Sequence, residues 1–254
     1  MFKLNMKYTL PPTEMKSNNH RDIDKLDDSS SFDLLVNSNN EAVKSVSNAK
    51  EYIHKVIDQI LLRLNKSSCG RIIYCGAGTS ARIGVQDGSE LYPTFGWPHS
   101  RIVYIIAGGN AALLRPLENA EDDKNDAIAR VIDLKVNEND IIIGLAASGN
   151  TPFTCQVLKE SRKKGALTIG ISNNQNSLLN EISEFNIILD TGPEPVVGST
   201  RLKAGTAQKI CLNIISTILM IKLGRVKNGM MNYLVPTNKK LKKRQALIKK
   251  SLNL

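Results

Sequence analysis

The sequence predicts an α/β fold in which a parallel sheet is flanked by helices, and three observations carry that expectation. Five short runs rich in β-branched residues occur in order: RIIYC (71–75), RIVYII (101–106), DIIIGL (140–145), LTIGIS (167–172) and FNIIL (185–189). These runs are apolar throughout rather than alternating, as strands covered on both faces are. Helical stretches lie between most of them, and strand–helix alternation is the pattern of a parallel sheet.

The elements follow in chain order. Residues 1–40 are polar, with Pro11-Pro12, Ser29-Ser30-Ser31 and several Asn, and read as an extended arm. From Glu41, Val43, Val46, Ala49, Ile53, Val56, Ile57, Ile60 and Leu64 recur at spacings of three and four, which predicts a long amphipathic helix ending near Ser67. Helices are expected over 80–91, 124–134, 152–164 and 177–182 between the strands, and a long closing helix over 200–223. The apolar stretch 210–223 is interrupted by Asn213, Ser216, Thr217 and Lys222 and reads as a buried helix, not a membrane span. A single domain over 41–235, with its core at about 62–225, and a basic tail over 236–254 complete the expected organisation.

Composition narrows the function classes. Hydrophobic residues make up 41% of the 254 positions, normal for a soluble globular chain. The N-terminus has neither an apolar h-region nor a small-residue cleavage site, so no secretory signal is expected. Four cysteines without C-x-x-C spacing read as free thiols of a cytoplasmic protein. The histidines His20, His54 and His99 form no ligand pair, and no metal site is expected. The net charge of +10 is concentrated at the end: residues 201–254 hold 13 Lys or Arg and no acid. No aromatic residue interrupts the basic run NKKLKKRQALIKKSLNL, so it reads as a solvated helix face rather than a nucleic-acid or membrane site.

In parallel sheets, ligands bind beyond the carboxyl ends of strands. After the first strand comes GAGTS and after the third AASGNTP, each placing glycines and hydroxyls just before a helix. Glycines let backbone amides approach an anion, and a helix N-terminus adds its positive end and its free N–H groups. Gly78, Thr79, Ser80, Ser148 and Thr151 are therefore candidates to cradle one phosphate. A Ser or Thr before a helix is also a plain N-cap, and for either loop alone that reading stands equally. Gly76-Ala77-Gly78-Thr79-Ser80-Ala81 fits G-x-G-x-x-A, but the second strand ends Ile105-Ile106-Ala107-Gly108-Gly109, without the acid that holds a dinucleotide's ribose. No GxxxxGK[ST] occurs either, so a phosphorylated small molecule fits better than a nucleotide. In GSTRLKAGTAQK (198–209), Ser199 and Thr200 precede the closing helix, and Arg201 and Lys203 oppose its dipole, a cost that a bound anion would offset. Glu90 and Glu121 are candidate acid–base carboxylates; an acid such as Glu121 opening a helix is also a common structural choice.

Taken together, GAGTS, DGSELYPTFG, the AGG turn, NAEDD, AASGNTPF, LTIGISNN and GSTRLKAGTAQK stand in the order and spacing of N-acetylmuramic acid 6-phosphate etherases, members of the sugar isomerase (SIS) superfamily. The resemblance runs from about Thr13 to Leu241. It implies a flavodoxin-like three-layer α/β/α sandwich with a five-stranded parallel sheet, working in the cytoplasm as a homodimer on a phosphorylated amino sugar, without cofactor or metal. The implied reaction is lyase chemistry that releases D-lactate from C3 and leaves N-acetylglucosamine 6-phosphate, in cell-wall amino-sugar recycling. Glu90 matches the acid of the family's DxSE motif, assigned as proton donor, and Glu121 the acid of AED. Gly78, Thr79, Ser80, Ser148, Asn150, Thr151, Ser199, Thr200 and Lys203 fall at substrate-binding positions. The glucokinase regulatory protein branch, which binds sugar phosphates without catalysis, and the aldose–ketose isomerases of the superfamily are the alternatives. Departures from the common family spelling are Ala81 and Gly88 in the first motif, Asn150 in place of Arg, Gln175 in place of Pro, and no C-terminal helical domain beyond TNKKL.

Overall fold

A computed structural model describes residues 10–17 and 22–252. Parts of the expected arm and tail, including His20, lie outside the described residues. Strands β1 (Ile72–Gly76), β2 (Ile102–Ile106), β3 (Ile141–Ala146), β4 (Leu167–Ser172) and β5 (Phe185–Ile188) form one sheet in the order β2-β1-β3-β4-β5. Every pairing is parallel; Cys75 of β1 faces Ile105 of β2 on one side and Gly144 of β3 on the other. The period of two sends Ile72, Tyr74, Ile141, Ile143 and Leu145 to one face and Ile73, Cys75, Ile105 and Ile142 to the other.

The first face is covered by α2 (Lys50–Lys66), α3 (Gly78–Phe95) and α7 (Lys203–Lys222), with α1 (Asp28–Asn48) packed on α7. The second is covered by α4 (Lys124–Asp133), α5 (Pro152–Lys163) and the short α6 (Leu178–Ile182). This is the expected three-layer sandwich. By length and composition α7 could cross a membrane, but Cys211, Leu212, Ile215, Leu219 and Met220 are buried against the sheet and its neighbouring helices.

Two elements differ from expectation. The single helix expected from Glu41 to Ser67 is two, broken at Ala49 (φ −85°, ψ 6°), and the first begins at Asp28. Its Ser- and Asn-rich sequence reads as a coil, yet Asp27 caps it by accepting from the Ser30 N–H. Ser38 and Ser45 are satisfied within the helix, donating to the Leu35 and Ala42 carbonyls. Second, α3 runs through Pro93 to Phe95 and ends at Gly96 in the left-handed region (φ 61°), where the Gly96 and Trp97 N–H groups bond the Tyr92 and Leu91 carbonyls. The basic tail carries α8 (Lys239–Leu252), the solvated helix face expected of it. Ile248 and Leu252 pack on Leu234 while Lys239, Lys240, Lys242, Lys243, Arg244, Lys249 and Lys250 face solvent.

The first motif has an internal anchor. Asp87 is buried and accepts from the Tyr74 hydroxyl (2.8 Å), Asn213 Nδ2 (2.8 Å) and Ser216 Oγ (3.0 Å), tying α3 to β1 and α7. A Cβ at Gly88 would lie 2.8 Å from the Tyr104 hydroxyl and 3.0 Å from the Tyr74 ring. That crowding explains the glycine in this helix, since the tyrosine pair occupies the space of a methyl group.

Candidate active site

The connection leaving β1 runs onto one face of the sheet as α3, and the connection leaving the adjacent β3 runs onto the other as α5. Their divergence opens a crevice at the carboxyl ends of the strands. A cavity of about 600 Å³ lies there, large enough for a phosphorylated sugar.

Two walls are the loops expected from sequence. Gly78, Thr79 and Ser80 form the first turn of α3, with Gly78 in the left-handed region (φ 53°) so that the chain passes from extended Ala77 straight into the helix. Ser148, Asn150 and Thr151 form the second wall, on a turn through Gly149 (φ 70°) where any Cβ would overlap Ser177. The plain N-cap reading does not describe these hydroxyls. Neither α3 nor α5 has a side-chain cap, although Thr151 itself occupies the N-cap position of α5. Two helix N-termini thus present free N–H groups and positive dipole ends to one cavity, with Thr79, Ser80, Ser148 and Thr151 beside them. Asn150 also braces the loop, its Oδ1 accepting from the Leu178 N–H (2.9 Å) at the start of α6.

Gly198 and Thr200 form a further wall, and Glu121 and Asp122 another. Glu121 lies in a short 3₁₀ turn (Ala120–Asp122) between β2 and α4 and is exposed. It does not open the following helix: α4 begins at Lys124 and is capped by Asp123, which accepts from the Asp126 N–H (2.9 Å). The helix-start explanation therefore belongs to Asp123 and leaves Glu121 facing the cavity. A neighbouring space of about 410 Å³ shares Thr79, Glu121 and Asp122 and extends past Arg82, whose guanidinium donates to the Leu113 and Ala112 carbonyls.

Three expected site residues are not on this cavity. Ser199 is in the adjoining loop. Lys203 is 1% exposed and pairs with Glu41, beside a separate cavity of about 360 Å³. The anion expected to offset its charge at the start of α7 comes from within the chain. Buried Glu194 accepts from the Lys203 (3.1 Å) and Ala204 (2.9 Å) N–H groups. Burial raises the pKa of Glu194, and those two N–H bonds oppose the shift. Glu90 is exposed on α3, twelve residues beyond Gly78 and so about 18 Å along the helix axis. Conversely, the cavity takes in Pro11 and Glu14 of the N-terminal arm. A polar, Pro-containing stretch gives no periodicity to mark such a contact. Among the described residues, no group of three His, Cys, Asp or Glu is arranged to hold a metal ion.

A switch-point crevice walled by two uncapped helix N-termini, on a parallel sheet of this order, defines a flavodoxin-like domain with an anion-binding crevice. The SIS domain model matches residues 123–216, and the model of the glucokinase regulatory protein N-terminal SIS domain matches residues 52–162. Among solved structures, a phosphoheptose isomerase from Francisella tularensis superimposes with a TM-score of 0.58 at 16% identity, covering 76% of this chain and 98% of its own. The Vibrio vulnificus NanR protein, complexed with ManNAc-6P, gives 0.53 at 13% identity, covering 88% of this chain and 72% of its own. At such identities the likeness concerns the fold.

The sequence relatives are more specific. The N-acetylmuramic acid 6-phosphate etherase of Mycoplasma mycoides subsp. mycoides is 44% identical over 240 residues, 94% of this chain and 79% of the relative. Those of Christiangramia forsetii (45%, covering 91% of this chain and 83% of the relative) and Lactococcus lactis subsp. lactis (43%, 93% and 79%) are comparably close. The chain belongs to the N-acetylmuramic acid 6-phosphate etherase family.

Proposed function

We propose that this protein cleaves the D-lactyl ether of N-acetylmuramic acid 6-phosphate, giving N-acetylglucosamine 6-phosphate and D-lactate in cell-wall amino-sugar recycling. The observation that carries the reading is the convergence of the α3 and α5 N-termini, with Thr79, Ser80, Ser148, Thr151 and Thr200, on a cavity that also has a carboxylate, Glu121, on its wall. The helix ends and hydroxyls hold the phosphate, and Asn150 shapes the loop beside it.

The chemistry suits carboxyl groups. In the open-chain sugar the C1 aldehyde acidifies the C2 proton. A carboxylate removes that proton, the C3–O bond breaks, and a carboxylic acid protonates the departing lactate oxygen. Water then adds across the resulting double bond, hydroxyl to C3 and proton to C2, so the net reaction consumes one water. Glu121 is one of the two groups. Glu90 is the other, and its distance from the cavity of its own chain supports a homodimer in which each copy lends Glu90 to its partner's site. Ser199 and Lys203 support the substrate loop from behind rather than touching the sugar. The free state of all four cysteines suits a cytoplasmic enzyme.

The test is incubation with N-acetylmuramic acid 6-phosphate and an enzymatic assay for D-lactate. Stoichiometric D-lactate is expected. Tight binding of a sugar phosphate with no D-lactate would instead make the protein a regulator of the glucokinase regulatory protein type, whose domain model covers residues 52–162.

A further inference from the structure

We propose that Glu14 is a substrate-positioning residue of the same cavity, carried there by a strap formed by the N-terminal arm, and that it holds the hydrogen-bond donors of the sugar while the helix ends hold its phosphate. The proposal rests on the phosphosugar reading of the site. Pro11 and Glu14 line the cavity together with Thr79, Ser80 and Glu121, although more than sixty residues of chain separate them from the first of the phosphate loops.

The strap is built to hold one position. Thr13 is fully buried and makes a reciprocal pair with Asn174, just beyond β4: its N–H donates to Asn174 Oδ1 (3.4 Å), and its Oγ1 accepts from Asn174 Nδ2 (3.0 Å). The same Nδ2 donates to the Ala147 carbonyl (2.8 Å), inside the second phosphate loop. The strap is thereby pinned to the loop that holds the anion. Pro11 and Pro12 restrict the backbone, and the turn closes with the Glu14 and Met15 N–H groups bonding the Pro11 (2.8 Å) and Pro12 (3.1 Å) carbonyls. Buried Thr13 anchors the strap, and its neighbour Glu14 stays open to the cavity.

The charge pattern says which end of the ligand Glu14 meets. A carboxylate repels the phosphate and the lactyl carboxylate, and it accepts hydrogen bonds from neutral donors, here sugar hydroxyls or an acetamido N–H. Glu121 enters from the connection after β2, whereas the strap is pinned beside β4, so the two carboxylates reach the cavity from different elements.

The experiment compares wild type with Glu14→Ala and Glu14→Gln, titrating N-acetylglucosamine 6-phosphate and inorganic phosphate separately by calorimetry, alongside kcat and KM for D-lactate release. Glu14 is exposed, so both variants should fold. Loss of a hydrogen bond to a charged group predicts about tenfold weaker sugar-phosphate binding for Glu14→Ala, a smaller loss for Glu14→Gln, and inorganic phosphate affinity within about twofold. Unchanged sugar-phosphate affinity overturns the proposal. Equal losses for both ligands also overturn it, because the strap would then merely support the phosphate loop. Wild type that binds the sugar phosphate but releases no D-lactate sinks the etherase reading alone. Wild type that binds no sugar phosphate sinks both.

Discussion

If the two catalytic carboxylates of one site come from different copies, two dead variants should repair each other. Glu90→Ala and Glu121→Ala are each expected to abolish turnover. In a homodimer with shared sites, a mixed dimer of these variants has one site with both carboxylates and one with neither. The proposal of a shared site rests on a distance. Glu90 is about 18 Å along α3 from Gly78, whereas a proton-transferring group must come within about 3 Å of the atom it serves. Random reassortment of equal amounts makes half of the dimers mixed, and half of their sites intact. The mixture should therefore recover about a quarter of the wild-type rate per chain. The assay is D-lactate release after the purified variants are unfolded together and refolded, with each variant refolded alone as the blank. A mixture no more active than its parents would refute the shared site. Substantial activity in Glu90→Ala alone would remove Glu90 from the chemistry.

Three further outcomes follow from particular contacts. Gly149→Ala should destabilise the fold by about 2–4 kcal/mol in chemical denaturation and weaken phosphate binding, because it combines a left-handed backbone (φ 70°) with overlap on Ser177. Burial, with Asp87 nearby, pushes the Tyr104 phenol up to about 12, and burial raises Tyr74 well above its ordinary value. The unfolded phenols ionise near 10, so between pH 10 and 12 the unfolded state binds fewer protons and stability should fall as pH rises. Absorbance titration should show these two tyrosines ionising after the exposed ones. Finally, a thiol reagent should label Cys69 quickly and Cys75, Cys155 and Cys211 only on unfolding, since burial raises all three and keeps them protonated. Rapid labelling of more than one of the four would contradict the packing described.

The sheet was legible because strands buried on both faces leave continuous runs. LTIGIS matches β4 residue for residue, and the other four runs fall within a residue of their strands at either end. The two candidate anion loops were legible because glycines and hydroxyls stand before helices at two strand ends, where one such loop alone reads equally as an N-cap. The N-terminal 40 residues were not, for two reasons. A helix stabilised by serines bonding their own backbone has the composition of a coil, as at Ser38 and Ser45. A strap held by one buried threonine offers no period to detect, as at Thr13. Lys203 misled for a related reason. Its counter-charge, Glu41, lies more than 160 residues away, and the acid at the helix start, Glu194, reaches back from the preceding loop. Pairings set by tertiary folding leave no local signal.

Among the described residues, the cavity of the candidate site is lined by backbone of two helix starts, small hydroxyls, Asn150 and carboxylates, and by no lysine or arginine. The donors available to an anion there are therefore mostly peptide groups, which no side-chain exchange short of proline deletes. Such a site is robust to drift: hydroxyls can be exchanged and walls rebuilt while the anion keeps its place. What stands around the anion, here Glu121 and the strap that carries Glu14, can then differ while the two helix starts stay the same.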